Sequence, residues 1–152
     1  MPATLLTPAQ LRAHIETDLS DTALQRALDS EEAEIIRLSG AHSVADAETD
    51  MRAGGGKYLF LSRPASAISS VTEVVTGFLG ETSTVLASND YRSWHDGRAL
   101  HRLATGTNPR SSWGDRITVV FTPENDTAQR TKVLIDLCRL ALQYSAVQEE
   151  QV

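Results

Sequence analysis

A single cysteine, Cys138, stands among the 152 residues, so no disulfide can form within the chain and noncovalent packing must hold the fold. Aromatic residues are scarce as well. They make up 5% of the chain against 41% for apolar residues overall, which predicts an aliphatic core. No apolar run approaches the roughly 20 residues that a membrane-spanning helix needs. The opening "MPATLLTPAQ" lacks the positive flank and apolar stretch of a signal peptide. These absences give the expectation of a soluble protein, made in the cytoplasm, with no membrane partner. An excess of basic residues is also missing. The net charge is −6, and residues 1–56 hold four arginines against ten Asp and Glu. Residues 90–116 lean the other way, with five arginines and three aspartates. A protein that grips nucleic acid through its phosphates needs a basic surface or stripe. Tight DNA binding is therefore not expected.

The length suits one domain spanning residues 1–152. Its first third carries helix punctuation. Thr7 can cap a helix with Pro8 at the first position and Gln10 three residues on, a capping box. Leu6 and Leu11 fit a hydrophobic staple around it, and "LTPAQLRAHIETDL" reads as about three turns. Ser20 caps a second helix with Asp21 in its first turn and Leu19 and Leu24 as a staple. Leu24, Leu28, Ile35 and Leu38 lie along one face, and Gly40 supplies the stop. Residues 40–56, "GAHSVADAETDMRAGGG", show no periodicity and end in three glycines, which predicts a flexible loop.

The middle is extended. "YLFLSRPASAISSVTEV" favours strand almost throughout, but Pro64 has no N–H for a ladder and biases Arg63 away from helical dihedrals. Two strands joined by a bend, or an edge strand, fit better than one long central strand. Segments near 57–62, 67–76 and 84–88 are the expected strands. Asp96-Gly97 signals a two-residue hairpin that sets Trp94 opposite Ala99. In "RITVVFT", Ile117, Val119 and Phe121 alternate with Thr118, Val120 and Thr122, the period of a half-buried strand. A last helix starts near Asp126 and runs to about Gln148. Its main stripe is Val133, Leu134, Leu137, Leu140, Ala141 and Tyr144, with Ile135, Cys138 and Leu142 to one side. So wide an apolar arc implies either a helix central in the fold or a second side that meets another subunit. With no helices alternating between the strands, the class is α+β: two N-terminal helices and a long C-terminal helix as a small bundle, with antiparallel β-hairpins between.

Catalytic and metal chemistry finds little support. "GGGKY" lacks the Walker spacing, since Met51 stands where the first Gly belongs and Tyr58 where Ser or Thr should follow the lysine. Asp46, Glu48 and Asp50 alternate as in a calcium loop, but Met51 and Lys57 replace the required Gly and Glu. Ser93, His95 and Asp96 lie too close along one strand to form a triad. His14, His42, His95 and His101 have no paired helical spacing, and one cysteine cannot build a structural zinc site. Cys138, among leucines on a helix, reads as buried packing. The expectation is a protein that is not an enzyme and holds no cofactor and no metal.

Three stretches, in this order, resemble one family. They are "LLTPAQLRAHIETDLSDTALQRALDSEEAEI", "LFLSRPASAISSVTEV" and "WGDRITVVFTPENDTAQRTKVLIDLCRLALQY", about half of the chain. The likeness is to the head–tail connector, or head-completion adaptor, proteins of long-tailed phages and related gene transfer agents. The chain departs from that pattern in lacking a glycine after the last strand and in its long loop at 104–114. The resemblance implies a virion structural protein of the particle neck, present in the host cytoplasm during assembly. It implies a homo-oligomeric ring, commonly dodecameric, beneath the portal protein. Such a ring extends the DNA channel, lets DNA only pass through, and docks neck, stopper or tail proteins. A small ligand-binding or regulatory α+β domain is the alternative, and a hydrolase around His95, His101 and Asp96 a more remote one.

Four residues are the interface candidates. Ile135 and Leu142 lie on the second side of the last helix. Arg110 and Trp113 sit in the loop "ATGTNPRSSWGD", which is longer than a hairpin needs, and both residue types anchor interfaces. The alternative for Trp113 is that it folds back over the sheet end.

Overall fold

The computed structural model describes residues 4–42 and 46–149, with side chains as far as residue 143. The chain divides into two compact units, residues 1–43 with 126–152 and residues 44–125. The class is α+β, with three helices and two antiparallel sheets among the described residues.

The helical unit contains α1 (Pro8–Arg12), α2 (Asp21–Ser39) and α3 (Thr127–Glu149). Both expected caps form. Thr7 Oγ1 accepts from Gln10 N at 3.3 Å while Gln10 Oε1 accepts from Thr7 N at 2.8 Å. Ser20 Oγ accepts from Ala23 N at 3.3 Å. Gly40 ends α2 with φ 77°. α1 is far shorter than three turns. His14 N and Ile15 N both return to Leu11 O, and Arg12 Nη2 bonds Leu19 O at 2.8 Å and Asp21 Oδ1 at 2.6 Å, folding the chain back on itself. Leu6, Leu11, Leu24, Leu28, Ile35, Leu134 and Cys138 share one core. Leu19 and Leu38, expected among them, are exposed.

In the β unit, β2 (Tyr58–Phe60) and β3 (Ala65–Gly77) are separated at Pro64 and join different sheets. The first sheet has the order β1 (Glu48–Ala53), β7 (Arg116–Pro123), β3, β4 (Gly80–Val85). The second runs β2, β6 (Ala99–Arg102), β5 (Tyr91–Trp94). Trp94 pairs with Ala99 as expected, closed by Arg98 N donating to His95 O at 3.1 Å. Asp96 and Gly97 both have positive φ, as the tight hairpin turn requires. Ile117, Val119 and Phe121 are buried with Leu59, Val71, Leu86, Leu100 and Trp113.

The main correction concerns the expected loop at 40–56. Its residues 43–45 lie outside the described residues, but Glu48–Ala53 form β1, paired antiparallel along its length with β7. The strand is illegible because its inward positions carry charges, a device that protects edge strands from pairing with other chains. Those charges are used. Asp50 accepts from Ser62 N at 2.6 Å and Ser62 Oγ at 2.8 Å, and Glu48 Oε1 lies 2.6 Å from Arg63 Nη1. The acidic run therefore clamps the Ser62–Pro64 break between the two sheets. An antiparallel edge strand offers only alternate N–H groups to its neighbour. Hydrogen exchange across residues 49–53 is accordingly expected to alternate between slow and fast amides, and uniformly fast exchange would refute the strand.

Candidate interaction surfaces

The loop at 104–114 is held from below by a network of buried charges. Arg102 lies at the end of β6 with its guanidinium on Glu73 of β3, Nε to Oε1 at 3.3 Å and Nη2 to Oε2 at 3.0 Å. Its remaining donors reach Asp90 O at 2.8 Å and Asn108 O at 2.7 Å. Glu73 Oε1 also accepts from Gly114 N at 2.7 Å. Asp90, fully buried, accepts from Asn108 N at 2.6 Å, Asn108 Nδ2 at 2.9 Å and Ala87 N at 2.8 Å. Burial opposes the Asp90 charge, but the bonds from Asn108 and Ala87 and the nearby Arg102 outweigh it and hold its pKa below the ordinary value. A carboxylate depressed in this way stabilises the fold above the ordinary aspartate pKa, and that stabilisation fades as acid protonates it.

This network decides the place of Trp113. Its indole is 2% exposed, donates Nε1–H to Leu100 O at 3.3 Å and lies under the Arg102 guanidinium, 5.8 Å from the ring centroid. Trp113 is thus a core residue that pins the loop, as the fold-back alternative expects. Arg110 is half-buried on the same loop, with its N–H on Leu103 O at 3.1 Å. Gly114 allows the close approach, since a Cβ there would stand 2.7 Å from Val74 O.

On α3 the apolar arc divides differently from the expected one. Leu134 and Cys138 are fully buried, and Ile135, Leu137 and Leu142 pack against their core. Ile135 and Leu142 are therefore core-flanking, whereas Val133 and Leu140, at 48% and 50% exposed, carry the free side, with Leu137 between them. Tyr144, expected in the same stripe, lies outside the described side chains. Burial pushes the Cys138 thiol up to about 11, with Glu31 adding to the shift, so it stays a neutral packing group.

A second charged cluster lies in the helical unit. Arg130 Nη1 and Nη2 donate to Gly40 O and Ser39 O at 2.7 Å each, satisfying carbonyls at the end of α2. Its Nε lies 2.9 Å from Asp126, and Nη1 approaches His42 Nδ1 at 3.1 Å. A guanidinium is only a donor, so Nδ1 must accept and the proton sits on Nε2, which faces Glu32 Oε1 at 3.1 Å. Desolvation lowers the His42 pKa against the pull of Glu32, and Arg130 lowers it further. A histidine kept neutral in the fold gives up stability as pH falls below its ordinary value near 6.5, because only the unfolded chain gains the proton. Urea unfolding at pH 8 and pH 5.5 is expected to show a loss at the lower pH that His42→Gln reduces; an equal loss in both proteins would contradict the assignment.

Two exposed apolar features went unread in the sequence. Tyr58, His101 and Arg92 stand in register across the second sheet, followed by Phe60, Ala99 and Trp94. Tyr58 packs on His101 at 4.8 Å and on Trp94 at 4.5 Å between ring centroids, above a fully buried Ala99. Arg92 Nε lies on His101 Nδ1 at 3.1 Å, and Phe60 remains 60% exposed. The other feature is the turn joining β3 to β4, where Gly77 pairs with Gly80 and Phe78 and Leu79 are 104% and 97% exposed. Its signal was "GFLG", an apolar pair between glycines, since hairpin turns ordinarily carry polar residues.

No protein-family model and no curated protein matches the sequence. Among solved structures, the fold is similar to a chain from the "Neck of empty GTA particle computed with C6 symmetry". The TM-score is 0.51 at 16% identity, covering 94% of this chain and 82% of that one. A chain from the virion of a native gene transfer agent particle gives a TM-score of 0.48 at 16% identity, covering 92% of this chain and 79% of that one. At such identity, what the first of these shares with this chain is its fold.

Proposed function

We propose that the protein is a structural subunit of the particle neck, a head–tail connector of a tailed phage or gene transfer agent. It forms a ring under the portal, extends the DNA channel and offers a docking surface to later neck or tail proteins. The observation that carries this reading is the fold similarity to a neck chain across nearly the whole length of the protein. Its surface chemistry fits the role. The side of α3 formed by Val133 and Leu140 and the two exposed apolar features of the β unit suit assembly. The acidic balance suits a conduit that must not retain DNA through its phosphates. Arg110 serves on this reading as a polar contact at the rim of a neighbouring subunit.

Deleting the reading frame from the encoding phage or agent is the direct test. Electron microscopy is expected to show heads without attached tails, and supplying the intact protein is expected to restore tailed particles. Tailed, DNA-delivering particles in the deletion would end the proposal.

A further inference from the structure

The two exposed apolar features of the β unit lie at opposite ends of one strand. Ala65, the first residue of β3, donates its N–H to Gly97 O at 2.9 Å, which ties the turn beside Trp94 to the start of that strand. Phe78 and Leu79 follow its last residue, Gly77. Twelve residue steps at about 3.3 Å separate the two, on the order of 40 Å, somewhat less where the β3 bulges shorten the path. The tip therefore cannot fold onto the aromatic face of its own chain. Neither feature completes the core of the unit, which closes around Leu59, Val71, Leu100, Trp113 and Phe121 without them.

We infer that the Phe78–Leu79 tip of one subunit seats on the Tyr58–Phe60–Trp94 face of a second copy of this chain. This inference rests on the ring reading above and specifies its contact. A patch that meets a different patch on the next copy makes a heterologous interface, and repetition of that operation closes a ring when the rotation allows. Shape favours the contact. A projecting two-residue knob meets a face whose rings are already packed on one another, so little side-chain freedom is lost on docking. Exposed Glu81 and Asp115 beside the tip are balanced by Arg116, paired to Glu81, and by Arg110, near Asp115, while Arg92 lies on the face with Arg98 and Asp96 in its adjoining turn, so charge does not oppose the contact. Tyr, Trp and Arg are the residues that dominate interface energies. Because the Tyr58 ring already packs on both His101 and Trp94, these rings form a preassembled protein-docking surface more readily than a stack of free platforms for nucleic-acid bases.

The test places a photoreactive benzoylphenylalanine at position 78 of the full chain, in purified protein at its highest soluble concentration and in assembled particles. Crosslinks are expected to peptides containing residues 58–60 or 92–101 of another copy. Crosslinks to a different protein, to nucleic acid, or none between copies in both settings overturn the contact. Complementation gives a second arm. Phe78→Ser with Leu79→Ser is expected to weaken self-association by about thirtyfold or more, without loss of folding. Trp94→Ser is expected to do the same, and Phe60→Ser replaces it if that variant fails to fold. Mixed together, the tip and face variants retain one good contact per pair, so dimers are expected and nothing larger. Larger assemblies in the mixture overturn the inference. Absence of the chain from purified particles would defeat the neck reading alone, leaving the copy-to-copy contact to be decided by the soluble crosslink.

Discussion

Arg102→Met is expected to cost about 3–5 kcal/mol of stability, read as a lowered urea midpoint, because it strands one member of a buried ion pair. The loss is not that of a surface salt bridge, which is worth about 0–1 kcal/mol. The side chains of Arg102 and Glu73 are 0% and 3% exposed, so Glu73 could not recover its hydration without opening the sheet. Asp90 O and Asn108 O would lose their guanidinium donor at the same time. The double change Arg102→Met with Glu73→Met is expected to recover part of the loss, since it removes the unpaired charge. Recovery stays incomplete because Gly114 N then lacks its acceptor. A single-variant cost below about 1 kcal/mol would mean that water reaches the pair.

The same network shows why part of the fold was legible in sequence and part was not. Capping residues, the Pro64 break, the Asp96-Gly97 turn and the alternation in β7 are local signals, written within a few residues of where they act. Glu73 and Arg102 are 29 residues apart, and each taken alone reads as a solvated charge. Their pairing exists only once β3 and β6 are brought together. β1 failed for a related reason. Its half-buried positions carry Glu48, Asp50 and Arg52, so an apolar–polar alternation never appears, although the burial does alternate. The aromatic face suffered the opposite loss. Tyr58, Phe60 and Trp94 are strand formers by residue type and lie in β2 and β5, but which face of a sheet is covered is decided by neighbours distant in sequence. Apolar character therefore could not separate them from buried Leu59 and Leu100. Trp113 illustrates the same limit, because a tryptophan in a long loop suits a core plug or an interface anchor equally until its indole N–H finds a carbonyl.

On α3, three aspartate substitutions are expected to separate core from contact surface. Leu134→Asp should be the most damaging, on the order of 4–5 kcal/mol or enough to abolish cooperative unfolding of the helical unit, because it buries an unpaired charge among Leu11, Leu24 and Leu28. Leu142→Asp should cost about half as much, since that side chain only flanks the core and its carboxylate can turn towards water. Leu140→Asp, at an already half-exposed position, should leave the unfolding midpoint within about 0.5 kcal/mol of the unmodified protein. Thermal and urea unfolding of the isolated proteins set this order, and particle assembly then gives it meaning. A folded Leu140→Asp protein that no longer supports tail attachment identifies the Val133–Leu140 side as a contact surface in the neck. If that protein assembles normally, the free side of α3 faces solvent in the particle, and the subunit contacts lie elsewhere on the chain. A Leu140→Asp cost comparable to that of Leu134→Asp would instead place Leu140 in the core and overturn the division of the helix drawn from burial.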